Sequence, residues 1–143
     1  MTSVRRVTIE EIPEIAEWAI PRFQKRHPRL TLAGMMPLLQ AAASGQSNAV
    51  RLVCSDNAVG MFAVERTPWE PEPVVCDVFV AGRDAGSSFE AIRIYQDGER
   101  WARALGAVEF RYGVDTDTNL DLLAERIGYD RMARNFVKVL RGG

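Results

Sequence analysis

Between the apolar run Val74–Gly82 and a helix-like stretch lies the loop Arg83-Asp84-Ala85-Gly86-Ser87-Ser88. Small residues at Gly86, Ser87 and Ser88 let backbone amides approach an anion, and a helix beginning there adds partial positive charge at its N-terminus. The loop therefore carries the chemistry of a phosphate nest with Arg83 as a neighbouring cation. It fits equally well an ordinary strand-to-helix turn, in which Gly82 and Gly86 supply backbone freedom and Ser87 caps the helix. Asp77 is the one carboxylate inside the apolar run, where burial raises a carboxyl pKa toward that of a general base. Its simpler reading is an outward-facing strand residue, solvated or paired with an arginine. Asp115 and Asp117, in "DTDTN", serve either to bind a cationic substrate or to cap a turn and a helix. Glu109, in the alternating "VEFRYGV", reads as a polar-face strand residue.

Other chemistries find little material. A single histidine, His27, excludes a multi-histidine metal site, and Cys54 and Cys76 lack paired ligand spacing. The cysteines sit in apolar strand-like runs and read as buried free thiols of a reducing compartment. His27 lies in the loop-like "RHPR", away from any evident nucleophile, and the basic residues around it (Arg22, Lys25, Arg26, Arg29) read as a solvated face between helices. A net charge of -1 and a pI near 5.9 exclude broad nucleic-acid binding, which needs a clear basic excess. No apolar run approaches membrane-spanning length, and "MTSVRRVTIEEI" lacks a secretory hydrophobic core, so an intracellular, cytoplasmic protein without membrane partners is expected.

The elements that position these residues follow from periodicity. At 143 residues the chain is expected to be one domain, 1–143, large enough to bury a core without metals or disulfides. A short strand near Arg5 to Val7 leads to Thr8 and Glu11, spaced as a capping box, and then to a helix with the stripe Ile12, Ile15, Ala16, Ala19 and Phe23. Pro13 places the true helix start slightly after that cap. A second helix carries Met35, Met36, Leu38, Leu39 and Ala42 and fades at Ser44-Gly45. "AVRLVCS" and "GMFAVER" flank Asp56-Asn57 as an antiparallel hairpin, and the prolines of "TPWEPEP" predict a surface loop. "VVCDVFVAG" reads as a strand buried on both faces at the centre of the sheet. Ser87 and Glu90 are spaced as a second capping box for a helix with Phe89, Ile92, Tyr95, Trp101, Ala102 and Leu105, weakened in the middle by Asp97-Gly98. The strand "VEFRYGVD", a helix through Leu120, Leu123, Ala124 and Ile127 stopped at Gly128, and a last strand "RNFVKVL" complete the order.

With "VTIEEIPEIAEW" in front, "NAVGMFAVE" across two strands, Glu99-Arg100-Trp101-Ala102 with Gly106-Ala107, and the closing "LAERIGYDRMARNFVKVL", the chain resembles the GCN-five-related N-acetyltransferases, the GNAT superfamily. The resemblance spans essentially the whole length. It implies an α+β, GNAT-like acyl-CoA N-acyltransferase fold: a central, mostly antiparallel sheet with one splayed parallel pair, flanked by helices. The strands "VVCDVFVA" and "VEFRYGV" would diverge and admit the pantetheine arm of acetyl-CoA or another acyl-CoA. Val78, Phe79 and Val80 would line that arm, while Arg83, Gly86, Ser87 and Ser88 would hold phosphates. Ser88 stands where the family motif has Gly or Ala, and Asp84 adds a negative charge. Transfer in the family is direct: an amine, deprotonated by a carboxylate, for which Asp77 is the candidate here, or by a water chain, attacks the thioester, and an acid protonates the departing thiolate. Ala124 stands where many members place a tyrosine acid, leaving Tyr112 or Tyr95 as substitutes, although either also reads as a core aromatic.

Two classes of function follow. One is an acyl-CoA-dependent N-acyltransferase acting on a small-molecule or peptide amine. The other is a domain of the same fold that has lost catalysis and serves in binding or assembly. The chain also resembles the GNAT-like virion-associated proteins of short-tailed bacteriophages, some of which end, as here, in a basic residue and two glycines. That resemblance implies a virion location, repeated copies in a homo-oligomer, and contact with a phage portal, core or tail protein, with Trp69 as an interface candidate.

Overall fold

The computed structural model describes residues 3–66, 68–84 and 87–113, together with 125–126, 128–129, 138 and 140. In chain order the elements are β1 (Arg5–Arg6), α1 (Ile12–Arg26), α2 (Leu32–Ser44), β2 (Val50–Cys54), β3 (Ala58–Glu65), β4 (Val74–Gly82), α3 (Ser88–Ala104) and β5 (Glu109–Arg111). The strands form one sheet in the order β1-β2-β3-β4-β5, antiparallel throughout except for the parallel pair β4 and β5. By contact the chain divides into two units, Met1–Gly113 and Val114–Gly143. Among the described residues, no helix is long and apolar enough to cross a membrane.

Strand alternation sends side chains to two helical layers. On one face Leu52, Cys54, Val59, Met61 and Phe79 pack with Ile12, Ile15, Ala19 and Ile20 of α1 and Met35, Leu39 and Ala42 of α2. On the other, Val53, Ala58, Phe62 and Val75 pack with Ile94, Tyr95 and Ala102 of α3. The entry to α1 matches the sequence reading. The Glu11 carboxylate accepts from the Thr8 amide at 3.0 Å and the Thr8 hydroxyl at 2.9 Å. The Arg5 guanidinium and then these Thr8 donors hold that carboxyl down at about 2. A 3-10 turn, Ile9–Glu11, precedes the helix, so Pro13 falls in the first turn of α1, where its missing N–H costs little.

Three expectations need correction. β4 lies inside the sheet, between β3 and β5, but it is not buried on both faces throughout: Cys76, Asp77 and Val78 in its middle are only half-buried. Its ladder with β5 stops at Cys76, which leaves that stretch less covered than an unbroken parallel strand. The second capping box does not form. Glu90 instead accepts from the Ser55 hydroxyl at 2.7 Å and the Asn57 amide at 3.1 Å, tying the first turn of α3 to the β2–β3 turn. Nor is α3 weakened at Asp97-Gly98, because it runs unbroken for 17 residues. Asp97 pairs with Arg51 of β2 at 2.8 Å, and a methyl at Gly98 would lie 2.8 Å from the Phe62 ring. The glycine lets the helix approach the sheet.

In the C-terminal unit Gly128 adopts φ 100°, and its amide donates to the Glu125 carbonyl at 3.2 Å, after helical residues 125–126. This is the expected left-handed stop. The expected start of that helix, the last strand, and Asp115, Asp117 and Ala124 lie outside the described residues.

Candidate functional site

Opposite β3, β4 carries one residue too many. Met61 pairs with Phe79 but Phe62 pairs with Asp77, so Val78 is the extra residue of a β-bulge. A bulge reverses the alternation beyond it and re-aims side chains. Asp77 thus shares the α3 face with Val75, whereas Val78 and Phe79 both turn toward α1 and α2, and Val80 returns to the α3 side. Phe79 settles against Phe23 with ring centroids 5.3 Å apart. In a run as apolar as "VVCDVFVAG" no residue type marks such a shift, and sequence reasoning missed it.

The parallel ladder opens at the same place. β4 and β5 pair at Val74↔Glu109, Val75↔Phe110 and Cys76↔Arg111, and β4 then continues to Gly82 with no further partner on that side among the described residues. The Asp77 carboxylate crosses this opening, with Oδ1 accepting from the Gly113 amide at 3.2 Å. Burial pushes the Asp77 carboxyl up to about 6, against the lowering effect of the Gly113 amide, its own amide and Tyr95. Asp77 is therefore not fully solvated, and among the described residues it is paired with no arginine.

Aromatic rings wall this carboxylate. Tyr95 and Tyr112 stack with centroids 4.2 Å apart, and Phe110 lies 5.9 Å from Tyr112. Phe62 closes the cluster, 6.3 Å from Tyr95 and 5.5 Å from Phe110. Burial, and then the Asp77 charge, push the Tyr112 hydroxyl up to about 12. Tyr95 is buried in the core and Tyr112 packs partly buried against it, as their simpler reading has it, yet both also border the carboxylate in the opening. That link between β4, α3 and β5 spans long sequence separations and had no local signal.

At the other end of β4, the loop is drawn inward. The Arg83 guanidinium pairs with Glu14 of α1 and lies 4.9 Å from the centroid of the Trp18 ring. Its amide donates to the Asn57 carbonyl at 2.8 Å, and its carbonyl accepts from Arg22. The Ser87 hydroxyl donates to Asp84 Oδ1 at 3.1 Å and accepts from the Asp84 amide at 3.2 Å, so Ser87 is buried and, although it stands at the N-cap position of α3, its side chain makes no capping hydrogen bond. A methyl at Gly82 would lie 2.6 Å from Ser87 Cβ, so the chain folds back here as closely as glycine allows. Ser88 opens α3, and Gly86 lies outside the described residues. The structure thus brings Asp77, Val78, Phe79 and Val80 together at the bulge, with Arg83 and Ser87 beyond the strand end.

The remaining candidates resolve simply. The His27 ring lies 4.6 Å from Phe23 by centroid, beside no cysteine partner. Cys54 and Cys76 are free thiols, the first buried and the second half-buried. The Cys76 thiol donates to Glu65 at 2.9 Å, and burial followed by that carboxylate pushes it up to about 12. Glu109 lies on the polar side of β5 and pairs with Arg111.

No family model and no curated protein matches the sequence. Solved structures do match the fold. A probable acetyltransferase aligns over 98% of this chain and 99% of its own at 13% identity, with a TM-score of 0.72. AAC(6')-Iy, solved with the bisubstrate analog CoA-S-monomethyl-acetylneamine, aligns over 99% of each chain at 11% identity and a TM-score of 0.69. The aminoglycoside antibiotic 6'-N-acetyltransferase AAC(6')-IG of Acinetobacter haemolyticus aligns over 99% of each at 13% identity and a TM-score of 0.66. At such identities the likeness establishes the fold: the GNAT-like α+β architecture, with a mostly antiparallel sheet, one splayed parallel pair and flanking helices.

Proposed function

We propose that this chain is an acyl-CoA-dependent N-acyltransferase that moves an acetyl or similar group onto an amine, with residues 1–143 working as one domain in the cytoplasm. The observation that carries this reading is the coincidence of three features: the ladder opens after Cys76, the bulge falls at Val78, and a carboxylate lies between them. The donor fits the residues present. β4 beyond Cys76 offers backbone groups at Val78, Phe79 and Val80 to a pantetheine arm. Gly82 and the N-terminal turn of α3, with Ser87 and Ser88, offer backbone amides to its phosphates, and the sequence position of Gly86 makes it a further candidate. Arg83, engaged by Glu14, fixes the loop against α1 and contributes its charge nearby. When bound, acyl-CoA supplies the thioester carbonyl that accepts the amine.

The chain's own contribution is proton transfer and placement. The Asp77 carboxylate takes the proton that the amine nitrogen sheds as its bond to the acyl carbon forms; the acyl carbon–sulfur bond would break in return, and the departing CoA thiolate would take its proton from solvent. Its raised pKa brings it closer to the pH at which it works, while the carboxylate form still dominates at neutrality. Gly113 holds one of its oxygens, so the basic form is fixed at the strand opening. The bulge leaves backbone groups of β4 available to polarise an acyl carbonyl.

The test is amine-dependent release of the CoA thiol from acetyl-CoA across a panel of small amines and peptides, aminoglycosides included. Native protein should turn over, and Asp77→Asn should lose about 100-fold or more in kcat. Unchanged turnover in Asp77→Asn would remove Asp77 from the chemistry. The inward pull of Arg83 and Ser87 favours the second reading, a domain of this fold without catalysis that acts in binding or assembly. Within that reading a virion location, with phage portal, core or tail partners, rests on the sequence resemblance alone. Absence of both turnover and acetyl-CoA binding would decide for it.

A further inference from the structure

We infer that Glu14 is an internal rival of a bound phosphate group for the Arg83 guanidinium, so that α1 sets how tightly the acyl donor is held. The inference deepens the acyltransferase reading and rests on it for the identity of the anion. It begins with spacing. Glu14, Trp18 and Arg22 follow one another at four-residue steps and so form one stripe of α1. All three meet Arg83, just beyond the end of β4. Glu14 pairs with its guanidinium, the Trp18 ring centroid lies 4.9 Å from that group, and Arg22 donates to its carbonyl. The Arg83 amide, bound to the Asn57 carbonyl at 2.8 Å, fixes the backbone from which the side chain swings.

The grip of Glu14 is weak. Its side chain is 66% exposed and that of Arg83 38%, so water screens the pair and it adds little to stability. The same pose leaves Arg83 Nε buried with no acceptor among the described residues, and a buried donor left unsatisfied is costly. A phosphate carries more charge than a carboxylate and meets the planar fork of a guanidinium through two oxygens. An anion at the N-terminal turn of α3 therefore draws the Arg83 guanidinium off Glu14. The backbone stays anchored by Asn57 and Arg22 while the side chain changes partner. Each anion that binds must displace one carboxylate, and the affinity it shows is what remains after that exchange.

The experiment measures binding by calorimetry, with acetyl-CoA and inorganic pyrophosphate as probes. The proteins are native, Glu14→Gln, Glu17→Gln, Arg83→Gln, and Arg83→Gln combined with Glu14→Gln. Glu14→Gln should tighten both probes by about two- to fivefold, the span expected when an exposed ion pair no longer competes. Glu17→Gln removes the same charge from the next turn of α1 and should leave both affinities unchanged. Without Arg83, Glu14→Gln should bring no gain. Equal acetyl-CoA affinity in native protein and Glu14→Gln would overturn the inference while leaving the acyltransferase reading in place. An equal gain from Glu17→Gln, or a gain that persists without Arg83, would overturn it as well. Silence of acetyl-CoA in every variant, with pyrophosphate still tightened by Glu14→Gln through Arg83, would uphold the exchange and remove the acyl-CoA reading. Silence of both probes would overturn both. Should Arg83→Gln fail to fold, nitrogen NMR of the Arg83 Nε group supplies the check. Pyrophosphate should shift that signal in native protein and bring it to the same end point at lower concentration in Glu14→Gln, and a signal that ignores the ligand would overturn the inference.

Discussion

Replacing Asp77 by Asn separates the cost of a buried charge from the geometry that it occupies. Asparagine keeps an oxygen for the Gly113 amide but carries no charge. In the folded chain the Asp77 carboxyl sits at about 6, above its ordinary value of 3.8, because burial disfavours the carboxylate. Between those values the folded state binds more protons than the unfolded state, so this group's contribution to stability declines as pH rises through that window. A shift of this size, at about 1.4 kcal/mol per pKa unit, is worth about 3 kcal/mol. The cost is fully present above about pH 7 and vanishes below about pH 3. Asp77→Asn should therefore be more stable than native protein by up to about 3 kcal/mol at pH 8, and close to equal at pH 3. Urea unfolding followed by tryptophan fluorescence across this range measures the difference directly. A gain that does not vary with pH, or a variant less stable at pH 8, would refute the reasoning. A stabler protein that has lost turnover would be the usual trade at a catalytic group.

Further expected outcomes test the scaffold around the site. Gly98→Ala gains helix propensity but drives a methyl into the buried Phe62 ring, so calorimetry should show a net loss of about 1–2 kcal/mol. Asp97→Ala leaves the Arg51 guanidinium without its main carboxylate between β2 and α3, and should cost about 3 kcal/mol in the same measurement. With its thiol held near 12, Cys76 should react with a thiol reagent at pH 8 about a thousandfold more slowly than an ordinary cysteine. Glu65→Gln should accelerate that reaction, because Glu65 raises the Cys76 pKa.

Much of the fold is legible because its elements obey local periodicity. The stripe Ile12, Ile15, Ala16 and Ala19, the hairpin around Asp56-Asn57 and the proline-rich crossing each carry their own signal, and each lies where expected. The readings that failed did so where a partner distant in sequence takes over. Glu90 has the right spacing to cap α3, but Ser55 and Asn57 offer it better donors. Gly98 costs helix propensity locally and is repaid by contact with Phe62 across the layer. The candidate site was visible only as a list of residue types. Asp77 could be singled out as a carboxylate in an apolar run, but the Val78 bulge that sets its face, and the Gly113 amide that holds it, come from strand register and from the chain beyond β4.

The central claim is that the opening between β4 and β5 receives an acyl-CoA. Amide NMR spectra recorded during a titration with acetyl-CoA test it most directly. The account predicts saturable shifts at micromolar ligand, centred on the amides of Val78, Phe79, Val80, Ser87 and Ser88. A spectrum unchanged at millimolar acetyl-CoA, or shifts confined to another surface such as the groove beside Arg6, Thr8 and Gly45, would contradict it.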